Sequence, residues 1–448
     1  MDRGLAGRRW SGMFGAHVCV VLLACFAAAL ALGAVAPSAT SPALSFTGPR
    51  NYATGLTPQS VAIGDLNGDG KPDLATASVT WGTVSVFLNR GRGSFRRTPD
   101  SATAAGPVSI AIGDLNGDGK PDLATANGGA GSVSVLLNKG GGSFQAKLDY
   151  PVGGEPNSLA IDDLNGDGKL DVAVANFGGV SVLLNKGGGG FAAKVEYAAQ
   201  GAGSVAMADL NGDGNPDLAT ANGGEGTVSV LLNNGGNSFQ AKVDYPIGGE
   251  LNSLAIGDLS GDGKPDMATA NQFGSNVSVL ANRGDGTFES RRSYATERSP
   301  FAVAIGDLNG DGEQDLVTAG GVSVLLNRGD GSFRARRSYQ TEQLAWSVAV
   351  GDLNGDRKLD VATTDGIFRL GVLLNTSGLC TVPKVRGKPL SVATRSIARA
   401  SCRVGKVGLA YSRFVIKGRV ISEKPKPGAV LRKGGEVNLV VSRGRRHS

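Results

Sequence analysis

The chain runs to 448 residues with a formal net charge of +6 and two histidines, His17 and His447, so a His-based triad or a zinc site in its body is excluded. The modest charge hides two opposite regions: residues 44–375 carry 25 basic against 36 acidic side chains, net −11, and residues 376–448 carry 17 basic against Glu423 and Glu436, net +15.

Residues 1–43 read as a secretory leader. Arg3, Arg8 and Arg9 precede an apolar stretch from Ala16 to Ala36, with small residues Ala34, Val35, Ala36 and Ala39 around its end. The stretch is also long enough to stay as a membrane anchor. Leu22-Leu23-Ala24-Cys25 is similar to a lipoprotein cleavage box, although the apolar run continues past Cys25. Each of these readings places the remainder outside the cytoplasmic membrane, secreted or in the cell envelope.

From residue 65 the chain writes nearly the same ten residues seven times, beginning Asp65-Leu66-Asn67-Gly68-Asp69-Gly70-Lys71-Pro72-Asp73-Leu74. Successive copies start 49, 49, 46, 49, 49 and 45 residues apart, a period that suits one small sheet in a repeat architecture. Alternate positions of a tight loop can turn oxygens toward one centre, and calcium takes several oxygen ligands. The expected ligand sets, with the lysine position contributing its backbone carbonyl, are Asp65, Asn67, Asp69, Lys71 and Asp73; Asp114, Asn116, Asp118, Lys120 and Asp122; Asp163, Asn165, Asp167, Lys169 and Asp171; Asp209, Asn211, Asp213, Asn215 and Asp217; Asp258, Ser260, Asp262, Lys264 and Asp266; Asp307, Asn309, Asp311, Glu313 and Asp315; and Asp352, Asn354, Asp356, Lys358 and Asp360. Up to seven calcium ions follow, the seventh site departing most because Arg357 replaces the turn glycine. An EF-hand is rejected: the twelfth-position glutamate is missing and no helical pattern flanks the loop. Hairpin turns built on Asn-Gly and Asp-Gly need no metal, but three carboxylates within nine residues repel unless a cation neutralises them.

Each loop has the same neighbours. A small-residue strand such as Ser60–Gly64 precedes it, and two Val/Leu/Thr-rich runs and a Phe-containing segment follow, the pattern of four-stranded antiparallel units. The fold class expected is mainly β: a seven-bladed β-propeller over 44–375, followed by a small α+β domain over 376–448. The last repeat lacks a Phe-containing fourth strand after Asn375, and Phe46 with Tyr52 supply one from the N-terminal side, closing the ring. The six-residue spacing recurs at Phe144/Tyr150, Phe191/Tyr197, Phe239/Tyr245, Phe288/Tyr294 and Phe333/Tyr339, which places both aromatics on one strand face.

Seven Asp-x-Asn/Ser-x-Asp-x-x-x-Asp loops are similar to those of the FG-GAP or VCBS repeat family, found in integrin α-subunits and bacterial surface proteins. The resemblance covers about residues 44 to 375 and implies calcium on the face formed by the loops between first and second strands. In the tail, Val382-Pro383-Lys384-Val385-Arg386-Gly387-Lys388-Pro389-Leu390, a helix through Ala400, and Gly418-Arg419-Val420-Ile421-Ser422-Glu423-Lys424-Pro425-Lys426-Pro427-Gly428 resemble a PASTA domain. That resemblance implies association with peptidoglycan or its fragments, or a structural spacer. Cys380 and Cys402 are the only cysteine pair beyond the leader and are expected to form a disulfide.

These features point to an exported, non-enzymatic envelope binding protein and a monomer, with a polysaccharide-cleaving enzyme or a structural spacer as alternatives. No catalytic residue is assigned. An anionic wall polymer is favoured over nucleic acid as the counterpart of the basic tail. Arg283-Gly284-Asp285 and Arg328-Gly329-Asp330 are read as turns. A carbohydrate or protein ligand is expected on the propeller face opposite the calcium, where the repeats disagree. Positions preceding the first strand read Gln59, Val108, Asn157, Gly203, Asn252, Phe301 and Trp346, and the loops between second and third strands add Trp81, Phe177, Phe273 and Phe368. Trp81, Phe301, Trp346 and Phe368, from neighbouring blades, are the expected ligand-binding set.

Overall fold

The computed structural model describes residues 44–236, 238–400, 402–432 and 435–445. The leader, with its anchor and lipoprotein alternatives, lies outside the described residues, as does His447. The described chain divides into two units between Leu374 and Asn375, with residues 44–47 grouping with the second.

The first unit consists of seven antiparallel sheets of four strands, one of which gains a short fifth. Their first strands are Pro58–Gly64, Pro107–Gly113, Ser158–Asp162, Ala202–Ala208, Leu251–Gly257, Val303–Gly306 and Ser347–Gly351. Each of these touches its neighbour in the next sheet, and Ser347–Gly351 touches Pro58–Gly64, so the strands form a closed cycle. The second strands, such as Asp73–Ser78 and Asp122–Asn127, are buried along their whole length. Apolar residues from adjacent sheets share single clusters: Val135 and Leu159 are packed in one, and Val61 and Leu353 in another.

Polar bonds also stitch sheet to sheet. The hydroxyls of Ser60, Ser109, Ser158, Ser204, Ser253 and Ser347 accept the backbone N–H groups of Ile110, Leu159, Val205, Leu254, Val303 and Val61 at 3.1–3.3 Å. The last of these bonds joins the seventh sheet to the first. The sixth sheet carries Ala302 at the serine position.

The N-terminal strand Arg50–Ala53 pairs with Arg369–Leu373, completing the seventh sheet as its fourth strand, and Phe46 bridges to Asn375. This is the closure expected from Phe46 and Tyr52. The single strand face expected for each Phe–Tyr pair is corrected: Phe144 sits in a small hairpin with Asn138–Gly140, whereas Tyr150 sits in Leu148–Pro151, a separate strand. The rings instead meet across sheets, edge to face: Tyr150 on Phe191 (5.2 Å), Tyr197 on Phe239 (4.7 Å), Tyr245 on Phe288 (5.4 Å), Tyr294 on Phe333 (5.1 Å) and Tyr52 on Phe95 (5.6 Å).

The second unit packs the helix Leu390–Arg399 against strands Arg403–Ala410, Glu436–Ser442 and Val420–Lys424, ordered with Glu436–Ser442 in the middle and parallel to Arg403–Ala410. Ala393 and Ile397 bury against Val420, Val437 and Leu439, and Cys380 is joined to Cys402 at the edge of that core.

Candidate metal loops and the opposite face

Each ten-residue loop links the first strand of a sheet to the second. Its first aspartate shapes the turn: Asp65 accepts the N–H groups of Gly68 (2.8 Å), Asp69 (3.1 Å) and Gly70 (2.7 Å), which draws the backbone around one carboxylate. Gly70 takes φ +78°, a left-handed conformation that a Cβ disfavours. Arg357, its counterpart in the seventh loop, is held at φ +66° and donates its N–H to Asp352 Oδ2 at 2.7 Å. The fold therefore imposes the loop geometry on a residue poorly suited to it, at about 1–2 kcal/mol.

The ninth-position aspartate is the buried anchor. Asp73 accepts the N–H of Leu66 (3.0 Å) and that of Asn89 (2.7 Å) and is fully buried. Burial pushes its carboxyl up to about 6, the charges of Asp69 and Asp65 adding to the shift against the two N–H donors. Asp122, Asp171 and Asp217 are likewise pushed to about 6, and Asp315 to about 7. Three carboxylates gathered on one tight loop, one of them buried, are the donor chemistry of a hard divalent cation.

As the side chains stand, no group of three or more His, Cys, Asp or Glu converges tightly enough to hold a metal among the described residues. The fifth-position aspartate is turned aside onto lysine: Lys71 bonds Asp69 at 2.7 Å, Lys120 bonds Asp118 at 2.8 Å, and Lys169 bonds Asp167 at 2.8 Å. These pairs are exposed and contribute little, so turning the carboxylate back costs little. The sixth loop has Glu313 in place of the lysine, and the amide oxygen of Asn309 is buried there without a hydrogen-bond partner. A buried orphan oxygen beside three carboxylates fits an oxygen-seeking cation. Bound there, calcium would neutralise the acids; the aspartates, the Asn or Ser side chain and one backbone carbonyl would hold it.

The loops are coupled around the ring. Asn138, at the end of the second sheet's third strand, donates from one amide nitrogen to Leu66 O in the first loop (2.9 Å) and to Pro121 O in its own (2.8 Å). Asn185, Asn233, Asn282 and Asn327 repeat the arrangement, and Asn89 reaches Leu353 O in the seventh loop (3.0 Å). Sequence reading did not single out these asparagines, although an Asn closes the third strand in every repeat.

At the other end of the first strands the expected aromatic set is divided. Phe301 is buried and stacks face to face on Trp346, ring centroids 4.9 Å apart. Trp346 in turn lies against the backbone of Gly366, where any Cβ would meet its ring at 2.3 Å. Trp81 and Phe368 are exposed, and the Arg369 guanidinium sits over the Phe368 ring at 4.8 Å. A cavity of about 880 Å³ lies elsewhere on this face, over the third to fifth sheets. Its exposed aromatics are Phe177 and Phe273, and Gly203 stands in it at the position where other repeats carry larger side chains. That glycine, followed by Gly223-Gly224, was the signal available in the sequence.

In the second unit, Tyr411, Phe414 and Ile416 are exposed, with Arg443 over Tyr411 (5.9 Å) and Arg413 over Phe414 (5.4 Å). This aromatic and cationic surface was not anticipated.

Residues 381–443 match the PASTA domain family. A probable serine/threonine-protein kinase of Clostridium acetobutylicum is 42% identical over 64 residues, which is 14% of this chain and 10% of the kinase, so the chain spans only about a tenth of that relative. Three solved structures align with most of the chain. BBS1N in complex with ARL6DN is 14% identical, over 73% of this chain and 97% of that one, with TM-score 0.53. Streptogramin B lyase is 14% identical, over 75% and 100%, with TM-score 0.53. A catalytically inactive virginiamycin B lyase from Staphylococcus aureus with quinupristin is 11% identical, over 73% and 99%, with TM-score 0.50. Such low identities show a shared fold and nothing of activity. Six overlapping stretches, 65–125, 114–172, 163–220, 209–269, 258–318 and 316–363, match the FG-GAP-like repeat and together span two-thirds of the sequence; the chain belongs to the FG-GAP-like repeat family.

Proposed function

We propose that this chain is an exported, calcium-stabilised, non-enzymatic binding protein of the bacterial cell envelope. Its propeller recognises a carbohydrate or protein ligand on the face opposite the metal loops, and its basic C-terminal domain associates with peptidoglycan or an anionic wall polymer. The observation that carries this reading is the pairing of FG-GAP-like repeats with a PASTA domain in one chain. The +15 charge of residues 376–448 and their exposed rings support the second contact, since cations attract an anionic polymer and aromatic faces stack on sugars. With its histidines confined to positions 17 and 447, the chain offers no imidazole base to a propeller active site.

The test is retention of the purified protein on isolated peptidoglycan sacculi over a range of salt concentrations, with an assay for released sugars on the same samples. Retention that falls steeply with salt and releases nothing is expected. Release of reducing sugars would replace the reading with a polysaccharide-cleaving enzyme, and no retention at low salt would leave the tail as a spacer.

A further inference from the structure

The cavity over the third to fifth sheets has a composition that narrows its ligand. Phe177 is 42% exposed on one side and Phe273 75% exposed on the other. Between them the lining is glycine backbone from Gly201, Gly203, Gly223, Gly224 and Gly226, with the side chains of Asn157, Gln200, Glu225 and Glu250. Asn252 is buried at its edge and held by a 2.7 Å bond from its amide to Gln272. About 880 Å³ lies within the size range of small-ligand sites.

Three features act together. Gly203, Gly223 and Gly224 put no side chain over the floor, and the carboxylates of Glu225 and Glu250 accept hydrogen bonds, so the floor favours a ligand rich in hydroxyl donors. The two phenyl rings offer flat apolar faces for the C–H faces of a ring-shaped polar molecule. No lysine or arginine lines the cavity, so nothing offsets the two glutamates if an anion enters. An apolar peptide is poorly matched, because Leu251 is the one aliphatic side chain in the lining and is itself fully buried.

We infer that this cavity binds an uncharged oligosaccharide, with Phe177 and Phe273 as stacking walls and Glu225 and Glu250 as hydroxyl acceptors. The inference rests on the reading that the propeller binds a ligand on this face, and it places the site away from Phe301 and Trp346.

Calorimetric titration of the full chain in calcium, against neutral hexose and N-acetylhexosamine oligomers and against uronic acid oligomers, tests it. Neutral oligomers should bind, and uronates at least roughly ten-fold more weakly. Phe177→Ala and Phe273→Ala should each weaken binding by roughly ten-fold. Gly224→Trp is the occlusion control: an added Cβ at Gly224 meets nothing within 4 Å, so the backbone accepts a side chain there and the indole is expected to obstruct the floor of the cavity. Binding should be lost in that variant at an unchanged melting temperature. Undiminished binding by Gly224→Trp would overturn the inference, as would uronates binding better than neutral oligomers. Failure of all neutral oligomers to bind while the chain is still retained on sacculi would overturn the cavity assignment and leave the envelope reading intact. Oligosaccharide binding without retention on sacculi would do the opposite.

Discussion

Chelation of calcium should bring the propeller close to unfolding. Each loop gathers three carboxylates, and burial, with a smaller addition from the neighbouring charges, pushes the ninth-position acid up, Asp73 to about 6 and Asp315 to about 7. At ten-fold excess of calcium over a millimolar-range dissociation constant, one site contributes about 1.4 kcal/mol. Six loops keep glycine at the turn, and their contributions total about 8 kcal/mol, comparable with the whole stability of a domain. Because asparagine side chains tie loop to loop at six junctions of the ring, the sites bear on one transition rather than seven. At about 1–2 °C per kcal/mol for a unit of this size, calorimetry in millimolar calcium and in excess EDTA should give melting temperatures about 8–16 °C apart. The pH dependence supplies a second reading. An acid whose folded pKa is raised contributes stability that is fully present below its unfolded value of 3.8 and is lost as pH rises through the folded value of about 6. In EDTA the propeller should therefore be less stable at pH 7.5 than at pH 5, and with calcium the order should reverse, because the metal binds the ionised form. Coincident melting curves with and without EDTA would refute the reasoning.

Further outcomes follow from single residues. Arg357→Gly relieves a left-handed arginine and should raise stability by about 1 kcal/mol in denaturant titration, while increasing calcium stoichiometry or affinity at the seventh loop. Asn138→Ala removes bonds to Leu66 O and Pro121 O at a buried position and should cost about 2–3 kcal/mol, again by denaturant titration. Ser347→Ala breaks the hydroxyl link to Val61 N that joins the last sheet to the first and should cost about 1–2 kcal/mol. Cys402→Ser should destabilise the second unit by about 2–5 kcal/mol, seen as a change in its melting transition with the propeller transition unmoved.

Much of the fold could be read from the chain because the repeat is written at the level of turn chemistry. A glycine at the turn of six loops and aspartates at fixed spacing in all seven locate every first hairpin, and the unpaired Phe46–Tyr52 segment marks the place where the ring shuts. What could not be read was the partner of each side chain across sheets. The six-residue interval between Phe144 and Tyr150 suggested one strand face, yet the chain bends between them, and Tyr150 finds Phe191 forty-one residues on. Periodicity reports which way a side chain points along its own strand. It carries no information on what the neighbouring blade presents there. The same limit divides the expected ligand set: Phe301 and Trp346 stack on each other, a contact that depends on the geometry of two adjacent blades.

The asparagine bonds give the two ends of the propeller different mechanical characters. At the metal-loop end, each asparagine ties two loops to one strand end through backbone carbonyls, which are present whatever the side chains of the loop. Substitutions there, such as Arg357, are absorbed without changing the turn. At the opposite end the contacts just before the first strands differ from repeat to repeat: Asn252 bonds Gln272, Phe301 stacks on Trp346, and Gly203 leaves open space. A repeat protein that binds something specific must break its own symmetry, since identical blades would present identical surfaces. Here the symmetry is kept at the aspartate loops and broken where a ligand would be recognised. A ligand on the irregular face should consequently bind one position on the ring rather than seven, and titration should return a stoichiometry of one, whereas a stoichiometry approaching seven would place recognition in the repeated elements instead.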